Sequence, residues 1–497
     1  MSLQPPLLAA GDPSIEVPTR GLPVEQLRPA LGGTAWTQLD EALGGTAAAL
    51  VGRAVWMVNS TSVGGGVAEL LRSWLPYWRA AGIDQHWAVL SAGSAFFQVT
   101  KRIHNFLHGH AGDGGELGQR ERRVYERALA ANAVRLAPLI RPGDVVVLHD
   151  PQTAGLLPAL KARGATVVWR SHVGADRPNA LTAAAWTFLE PYLVDADAYV
   201  FSRHPDEPPR LGQAPTAIIP PCIDPTSTKN RDLDPFLARA ILAHAGIAKP
   251  DGMAGKPIYH RHDASPRRLR QRATVRRVGE GPRIGSDRLV AHLSRCDRLK
   301  DPVGVLESFA GPVLDAVDAH LILAGPTARA VADDPEAEDV YDEVERRWEA
   351  LPVQRRKRIE LVRVPMADLD DNAAIVNALQ SQADVVVKKS IEEGFGLGVT
   401  EAMWKQRAVV ASAVGGHRDQ IQDGVSGVLV ADPRDRARFG DAVATLLEDP
   451  ARAGRLGHAA HLRVRERYLL DRHAARWAAL LATVTEAAAR SERRFAS

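Results

Sequence analysis

Along the chain, short uninterrupted runs of Val, Leu and Ile alternate with longer stretches whose apolar residues recur at helical spacing. The short runs read as strands covered on both faces and the periodic stretches as amphipathic helices, the alternation expected of βαβ units and parallel sheets. In the first half the predicted strands are 54–58, 86–90, 144–149, 166–172 and 198–202. In the second half they are 288–294, 320–325, 359–364, 383–389 and 408–414. Helices over 67–81, 119–137 and 301–317 fall between them. Two such series with an irregular stretch between them predict an α/β protein with two doubly wound parallel-sheet domains facing each other across a cleft. The expected division is an extension at 1–50, one domain at 51–230, a linker at 231–287, a second domain at 288–465 and a helical tail at 466–497.

A length of 497 residues agrees with two or three domains. Lys+Arg 62 against Asp+Glu 59 leaves a net charge of +3, too little to argue for nucleic acid or a membrane surface. Cys222 and Cys296 cannot build a disulfide framework or a Cys-based zinc site. No 18-residue apolar run and no secretory leader pattern are present, so a cytoplasmic protein is expected. One local surplus stands out. Residues 256–288 carry Lys256, Arg261, Arg267, Arg268, Arg270, Arg272, Arg276, Arg277, Arg283 and Arg288 against Asp263, Glu280 and Asp287. A solvated linker or exposed hairpin is the first reading, and a polyanion patch the second. Tyr259 is the one aromatic there, so base stacking is poorly supported.

In open parallel sheets ligands bind beyond the carboxyl ends of the strands, which directs attention to the loops that follow them. The first, Asn59–Val67, carries Gly64, Gly65 and Gly66 and opens a helix, so its amides can approach a phosphate or sugar. A dinucleotide fingerprint needs a third glycine where Glu69 stands. His149 and His172 end consecutive strands and point at the same crevice. Ser294–Pro302 places Arg295 and Lys300 before a helix, a receptor for a diphosphate through charge-assisted hydrogen bonds. In Lys388–Met403, Glu393 falls in a glycine-rich loop and Glu401 about one turn into the next helix, which suits two hydroxyl-binding tasks along one extended ligand. The D-x-D pairs Asp195/Asp197, Asp232/Asp234 and Asp368/Asp370 read as caps or surface carboxylates. His104 and His108 have zinc-compatible spacing without evident further ligands, so no metal site is expected.

Together these residues resemble the retaining nucleotide-sugar glycosyltransferases of the GT-B fold. The E-x7-E motif matches Glu393–Glu401, the R-x4-K pair Arg295 and Lys300, and the later turn Val414–Asp419 the second glycine turn. The stretches V-N-S-T-S-V-G-G-G-V-A-E, F-F-Q-V-T-K-R-I-H-N-F-L-H-G, H-D-P-Q-T-A-G-L, W-R-S-H-V-G-A-D, P-P-C-I-D-P-T-S-T-K-N and S-R-C-D-R-L-K-D-P-V-G-V are similar to the family of glycosyltransferring trehalose synthases. The resemblance implies transfer of glucose from a nucleoside-diphosphate glucose to free glucose, with retention and release of the nucleoside diphosphate. It implies His149, Arg295, Lys300 and Glu393 as catalytic. It implies Gly65, Gly66, Arg295, Lys300, Glu393, Gly394, Phe395, Gly396, Leu397 and Glu401 around the donor, and Asn59, Gly64, Lys101, His104 and His172 around the acceptor. No metal or other cofactor is implied, the partners are small sugars and sugar nucleotides, and a homo-oligomer is allowed. The chain departs from the pattern at Gly398, where Thr or Asn is expected, and at Lys388, where Gln is usual. Gln406-Arg407-Ala408 replaces a common G-K-P, and Cys296 replaces an aromatic residue.

Three other readings stay open on the sequence. They are a related retaining transfer (a trehalose phosphorylase or sucrose-type synthase), a non-catalytic sugar-nucleotide-binding protein, and a dehydrogenase, disfavoured by Glu69.

Overall fold

A computed structural model describes residues 15–63, 65–204, 211–249, 255–327 and 336–496. They form two compact units, one of residues 15–222 with 469–496 and the other of residues 223–468.

The first unit is built on a six-stranded sheet. Its strands are β1 (Val55–Asn59), β2 (Gln85–Val89), β3 (Val145–His149), β4 (Thr166–Ser171), β5 (Ala198–Phe201) and β6 (Thr216–Ile218). They are all parallel, in the order β2-β1-β3-β4-β5-β6. Every residue of β1, β3 and β4 is buried, because helices cover both faces of the sheet. Residues 15–17 extend the β2 edge through Val17 N–H to Trp87 O (2.7 Å) and Val89 N–H to Ile15 O (2.8 Å). The helix Gly33–Ala49 packs against the last helix, Leu470–Ala496, in this same unit.

The second unit carries β7 (Ile258–His260) and β8 (Pro266–Arg268), which pair as a hairpin, and a seven-stranded sheet. The sheet comprises β9 (Thr274–Arg276), β10 (Arg288–Leu293), β11 (Ala319–Pro326), β12 (Ile359–Val364), β13 (Val385–Lys388), β14 (Ala408–Ser412) and β15 (Val428–Val430). Its order is β15-β14-β13-β10-β11-β12-β9, parallel except for β9, which runs antiparallel at the edge. The ten strands expected from apolar runs are thus present, and the short ones (β6, β7, β8, β9 and β15) are added. The helix expected over 301–317 is interrupted. Pro302–Ser308 gives way to a π turn over Phe309–Val313, where Pro312 has no N–H to continue the α-helical ladder.

The described residues of 231–287, expected as a linker, are folded within this unit, and several of the arginines there are paired inside it. Arg267 pairs with Asp368 and with Asp370 (3.3 Å), Arg276 with Glu345 (2.6 Å) and Glu349, and Arg283 with Asp287 (2.8 Å). Tyr259, the lone aromatic, is buried and donates to Asp371 Oδ1 at 2.6 Å. Both cysteines are buried thiols that form no disulfide. Among the described residues no helix is long and apolar enough to cross a membrane.

In each sheet the winding direction reverses once, between β1 and β3 in the first unit and between β10 and β13 in the second. The loops leaving these four strands are where a doubly wound sheet opens a ligand crevice. They are, respectively, the early glycine loop, the segment that follows His149, the Arg295–Lys300 turn and the Glu393 loop.

Candidate active site

At the first switch point β3 ends on His149, and β4 ends one residue before His172. The two imidazoles stack with ring centroids 5.4 Å apart and planes 6° off parallel. His149 Nδ1 lies 3.2 Å from His172 Nε2, and His172 Nδ1 lies 3.0 Å from Ser202 Oγ at the end of β5. Asp150 Oδ1 accepts from the His172 backbone N–H at 2.7 Å and so holds the second strand end against the first. Burial, with Arg170 nearby, pushes both imidazoles well below the ordinary histidine range, so both are neutral. A neutral pair joined nitrogen to nitrogen carries one proton per ring in a fixed sense along the chain. The chain ends at His149 Nε2, which is buried and has no partner among the described residues. Such an atom can bond one sugar hydroxyl in either sense.

The other residues expected near an acceptor divide. Lys101 and His104 stand one turn apart on the helix Ser94–Leu107, which packs against the short helix Asp150–Thr153 directly after His149. Asn59 is used internally, its Nδ2 donating to Thr61 O (2.7 Å) and its Oδ1 accepting from Trp87 Nε1 (2.8 Å), so it anchors the glycine loop. Gly65 is the N-cap and Gly66 the first residue of the helix Gly66–Ala80, and Gly64 lies outside the described residues.

At the second switch point the chemistry is ionic. Lys300 Nζ sits 2.5 Å from Glu393 Oε2, which also accepts from Ser390 Oγ at 3.2 Å. Arg295 and Lys300 lie on one turn. Asp297 caps it, accepting from Leu299 N–H at 2.8 Å, and faces Arg295 at 3.9 Å. Glu401, on the helix Leu397–Trp404, is 4% exposed. It pairs with Lys229 Nζ at 2.8 Å and accepts from Gln380 Nε2 at 3.0 Å. Burial works to raise its pKa, but Lys229, Lys405 and these hydrogen bonds outweigh it and hold the carboxyl below its ordinary value. Burial brings Lys405 down to about 7.

The loop that carries Glu393 is held by the second glycine turn. Gly415 adopts φ +45°, and a Cβ there would lie 1.6 Å from Glu393 O. Gly416 N–H bonds Gly394 O at 3.1 Å. Phe395 stacks edge-on against Tyr468, 5.6 Å between centroids, which anchors the loop from below. Gly396 caps the helix Leu397–Trp404 in the left-handed region, φ +85°. Next to it His417 is wholly buried. Its Nδ1 lies 3.1 Å from Ser412 O and its Nε2 3.7 Å from Glu393, and burial brings its pKa down to about 4. A neutral His417 therefore donates from Nδ1 and presents a lone pair toward the glutamate loop.

The aspartate pairs have structural work. Asp368 caps the helix Leu369–Gln382, Asp234 caps Pro235–His244, and Asp197 binds Lys161 at 2.8 Å. Among the described residues no group of three or more His, Cys, Asp or Glu side chains is arranged to hold a metal ion.

Residues 57–205 match the family model of the trehalose synthase N-terminal domain, and residues 280–463 that of the glycosyl transferases group 1. The trehalose synthase of Rubrobacter xylanophilus is 34% identical over 431 residues, covering 85% of this chain and 88% of its relative. The chain belongs to the trehalose synthase family. A second member, the trehalose synthase of Pyrococcus horikoshii, is 32% identical over 434 residues, covering 87% of this chain and 90% of its own. In fold, the α,α-trehalose 6-phosphate synthase of Burkholderia multivorans superposes with a TM-score of 0.63 at 14% identity, covering 90% of this chain and 98% of that one. The protein is therefore a trehalose-related glycosyltransferase with the GT-B fold, two parallel-sheet domains in one chain.

Within this trehalose synthase framework, Lys229, Gln380, Ser390, Ser202 and His417 join the candidate residues without having been singled out in the sequence. Lys229 and His417 lie inside stretches that carry the resemblance, whereas Gln380 sits in the last turn of its helix with no local signal.

Proposed function

We propose that the protein transfers glucose, with retention, from a nucleoside-diphosphate glucose to free glucose, forming α,α-trehalose and releasing the nucleoside diphosphate. The observation that carries this reading is the second switch point itself: Lys300 beside Glu393, Arg295 on the same turn as Lys300, and Glu401 in the following helix, in a chain 34% identical to a trehalose synthase. The donor's diphosphate and ribose are assigned to the second unit and the acceptor to the first.

In the reaction the bond between the glucose anomeric carbon and the diphosphate oxygen breaks, and its electron pair leaves with the phosphate. Arg295 and Lys300 meet the growing charge, so the reading assigns no metal cofactor to that task. In this reading Glu393, which meets Lys300 and Ser390, accepts from donor-glucose hydroxyls, and Glu401 from ribose hydroxyls. The acceptor hydroxyl attacks from the face the diphosphate leaves, and its proton passes to the departing phosphate oxygen. His149 bonds the reacting sugar through Nε2. His172 fixes that ring's proton and orientation, and Lys101 and His104 contact the acceptor. Gly65, Gly66 and the Gly394–Leu397 loop let the backbone approach the donor.

The test is product formation. Protein incubated with glucose and ADP-, UDP- or GDP-glucose is expected to yield a non-reducing disaccharide with α,α linkage and one nucleoside diphosphate per turnover. Folded protein that forms none with any donor, yet cleaves trehalose with phosphate, would move the reading to a phosphorylase.

A further inference from the structure

Lys388 and Gly398, two of the positions at which the resemblance leads one to expect other residues, meet in the fold. Lys388 ends β13, and Gly398 is the second residue of the helix Leu397–Trp404. A Cβ on residue 398 would lie 2.5 Å from Lys388 Nζ and 3.0 Å from its Cε. A threonine at 398 and this lysine conformation exclude each other. The lysine and the glycine are thus sterically coupled, the ammonium filling the space that a side chain at 398 would take.

The surroundings of that ammonium do not neutralise it. Lys388 is 9% exposed, and its Nζ donates to Leu293 O at the end of β10. Among the described residues no carboxylate lies within ion-pair distance of it. Lys300 is taken by Glu393, Lys229 by Glu401, and Lys389 by Asp301 at 2.5 Å. A cation beside the first turn of a helix opposes the helix dipole, and a nearby anion reverses that balance. An ammonium has three N–H donors, and the Leu293 carbonyl uses one.

We propose that Lys388 is a third diphosphate-binding cation, beside Arg295 and Lys300, and that Gly398 is there to admit it. This inference rests on the donor reading given above. The charged and titratable groups facing Lys388 are Glu401 and Glu393, which favour its charge, Lys300 and Lys229, which oppose it, and the neutral His292 and His417. Burial is the largest influence and brings the amine down to about 8. Its charge, and with it the added grip on a diphosphate, is present at pH 7 and lost as the pH rises past that value.

Calorimetric titration with ADP, UDP and GDP tests the proposal. Lys388→Gln is expected to weaken binding of the preferred nucleoside diphosphate about tenfold at pH 7, the range of one charge-assisted hydrogen bond. It should leave the corresponding nucleoside unaffected. Gly398→Thr is expected to weaken binding as well, by displacing the amine, and the double variant to bind better than the product of the two single effects. In the unmodified protein the dissociation constant should climb from pH 8 to 9.5, and in Lys388→Gln that climb should vanish. Lys405, at about 7, titrates below this window. Equal affinity of Lys388→Gln and the unmodified protein overturns the proposal, as does a flat profile from pH 8 to 9.5, which is readable even if the variant does not fold. If the unmodified protein binds no nucleoside diphosphate, the donor reading fails and this inference falls with it.

Discussion

The two switch points solve different electrostatic problems with the same sheet geometry. At the first, the side chains lined up at the strand ends are neutral, two imidazoles kept uncharged by burial and a serine, while Asp150 is engaged by the His172 backbone N–H and Arg170 by Ile219 O. At the second, ammonium and carboxylate groups meet in pairs, Lys300 with Glu393 and Lys229 with Glu401, and among the described residues no carboxylate lies within ion-pair distance of Lys388. A neutral sugar needs donors and acceptors whose charge does not change with its arrival. A diphosphate needs cations that can exchange a carboxylate partner for a phosphate. The difference fits a division in which the first unit handles an uncharged acceptor and the second an anionic donor.

The comparison breaks most visibly through the cations. Arg295→Ala and Lys300→Ala are each expected to lower kcat/KM about a hundredfold or more, because the charge they meet is largest in the transition state. The loss should appear in kcat as well as KM, and steady-state kinetics over both substrates would reveal an effect confined to KM. On the other side, His149→Ala should cost activity while leaving nucleoside diphosphate affinity within about twofold, since a single neutral hydrogen bond is at stake. His172→Ala should cost less than His149→Ala, because it acts through the neighbouring ring.

The neutral histidines also set a stability limit. His149, His172 and His473 lie well below the ordinary range, His417 at about 4 and His292 at about 3, all through burial. The unfolded chain binds protons below about 6.5 where the folded chain does not, so stability is complete above that pH and falls as the pH drops through it. Each group adds a slope of up to about 1.4 kcal/mol per pH unit. Thermal unfolding should therefore move to lower temperature from pH 6.5 to 5, before Glu401, held below 4.5, contributes any loss. A melting temperature flat over that interval would contradict neutral burial of these rings.

Much of this was legible in the sequence. The ten long strands are, because buried parallel strands are nearly continuous in Val, Leu and Ile. β15 and β6 are not, being three residues long and only partly buried. The β7–β9 stretch hides behind its arginines, whose partners Asp368, Asp370, Glu345 and Glu349 lie far along the chain. The glutamate spacing placed Glu393 in the loop and Glu401 in the helix, as found, but Lys229 lies too distant in sequence to be read as its partner. Both Lys388 and Gly398 are visible as departures, and only the fold shows that they touch. Gln406 is a third case. It stands just past a helix end at φ +58°, where glycine is the usual residue. Gln406→Gly should stabilise the protein by about 0.5–1 kcal/mol, the smallest effect expected here, measurable by denaturant unfolding.

The division between the units is tested most directly by one crossed titration. A nucleoside diphosphate, with ADP, UDP and GDP tried in turn, is titrated into an Arg295→Ala/Lys300→Ala variant and into a His149→Ala/His172→Ala variant. The account predicts that the first loses about a hundredfold or more in affinity and that the second binds as the unmodified protein does. Retained affinity in the first, or an equal loss in both, would contradict it.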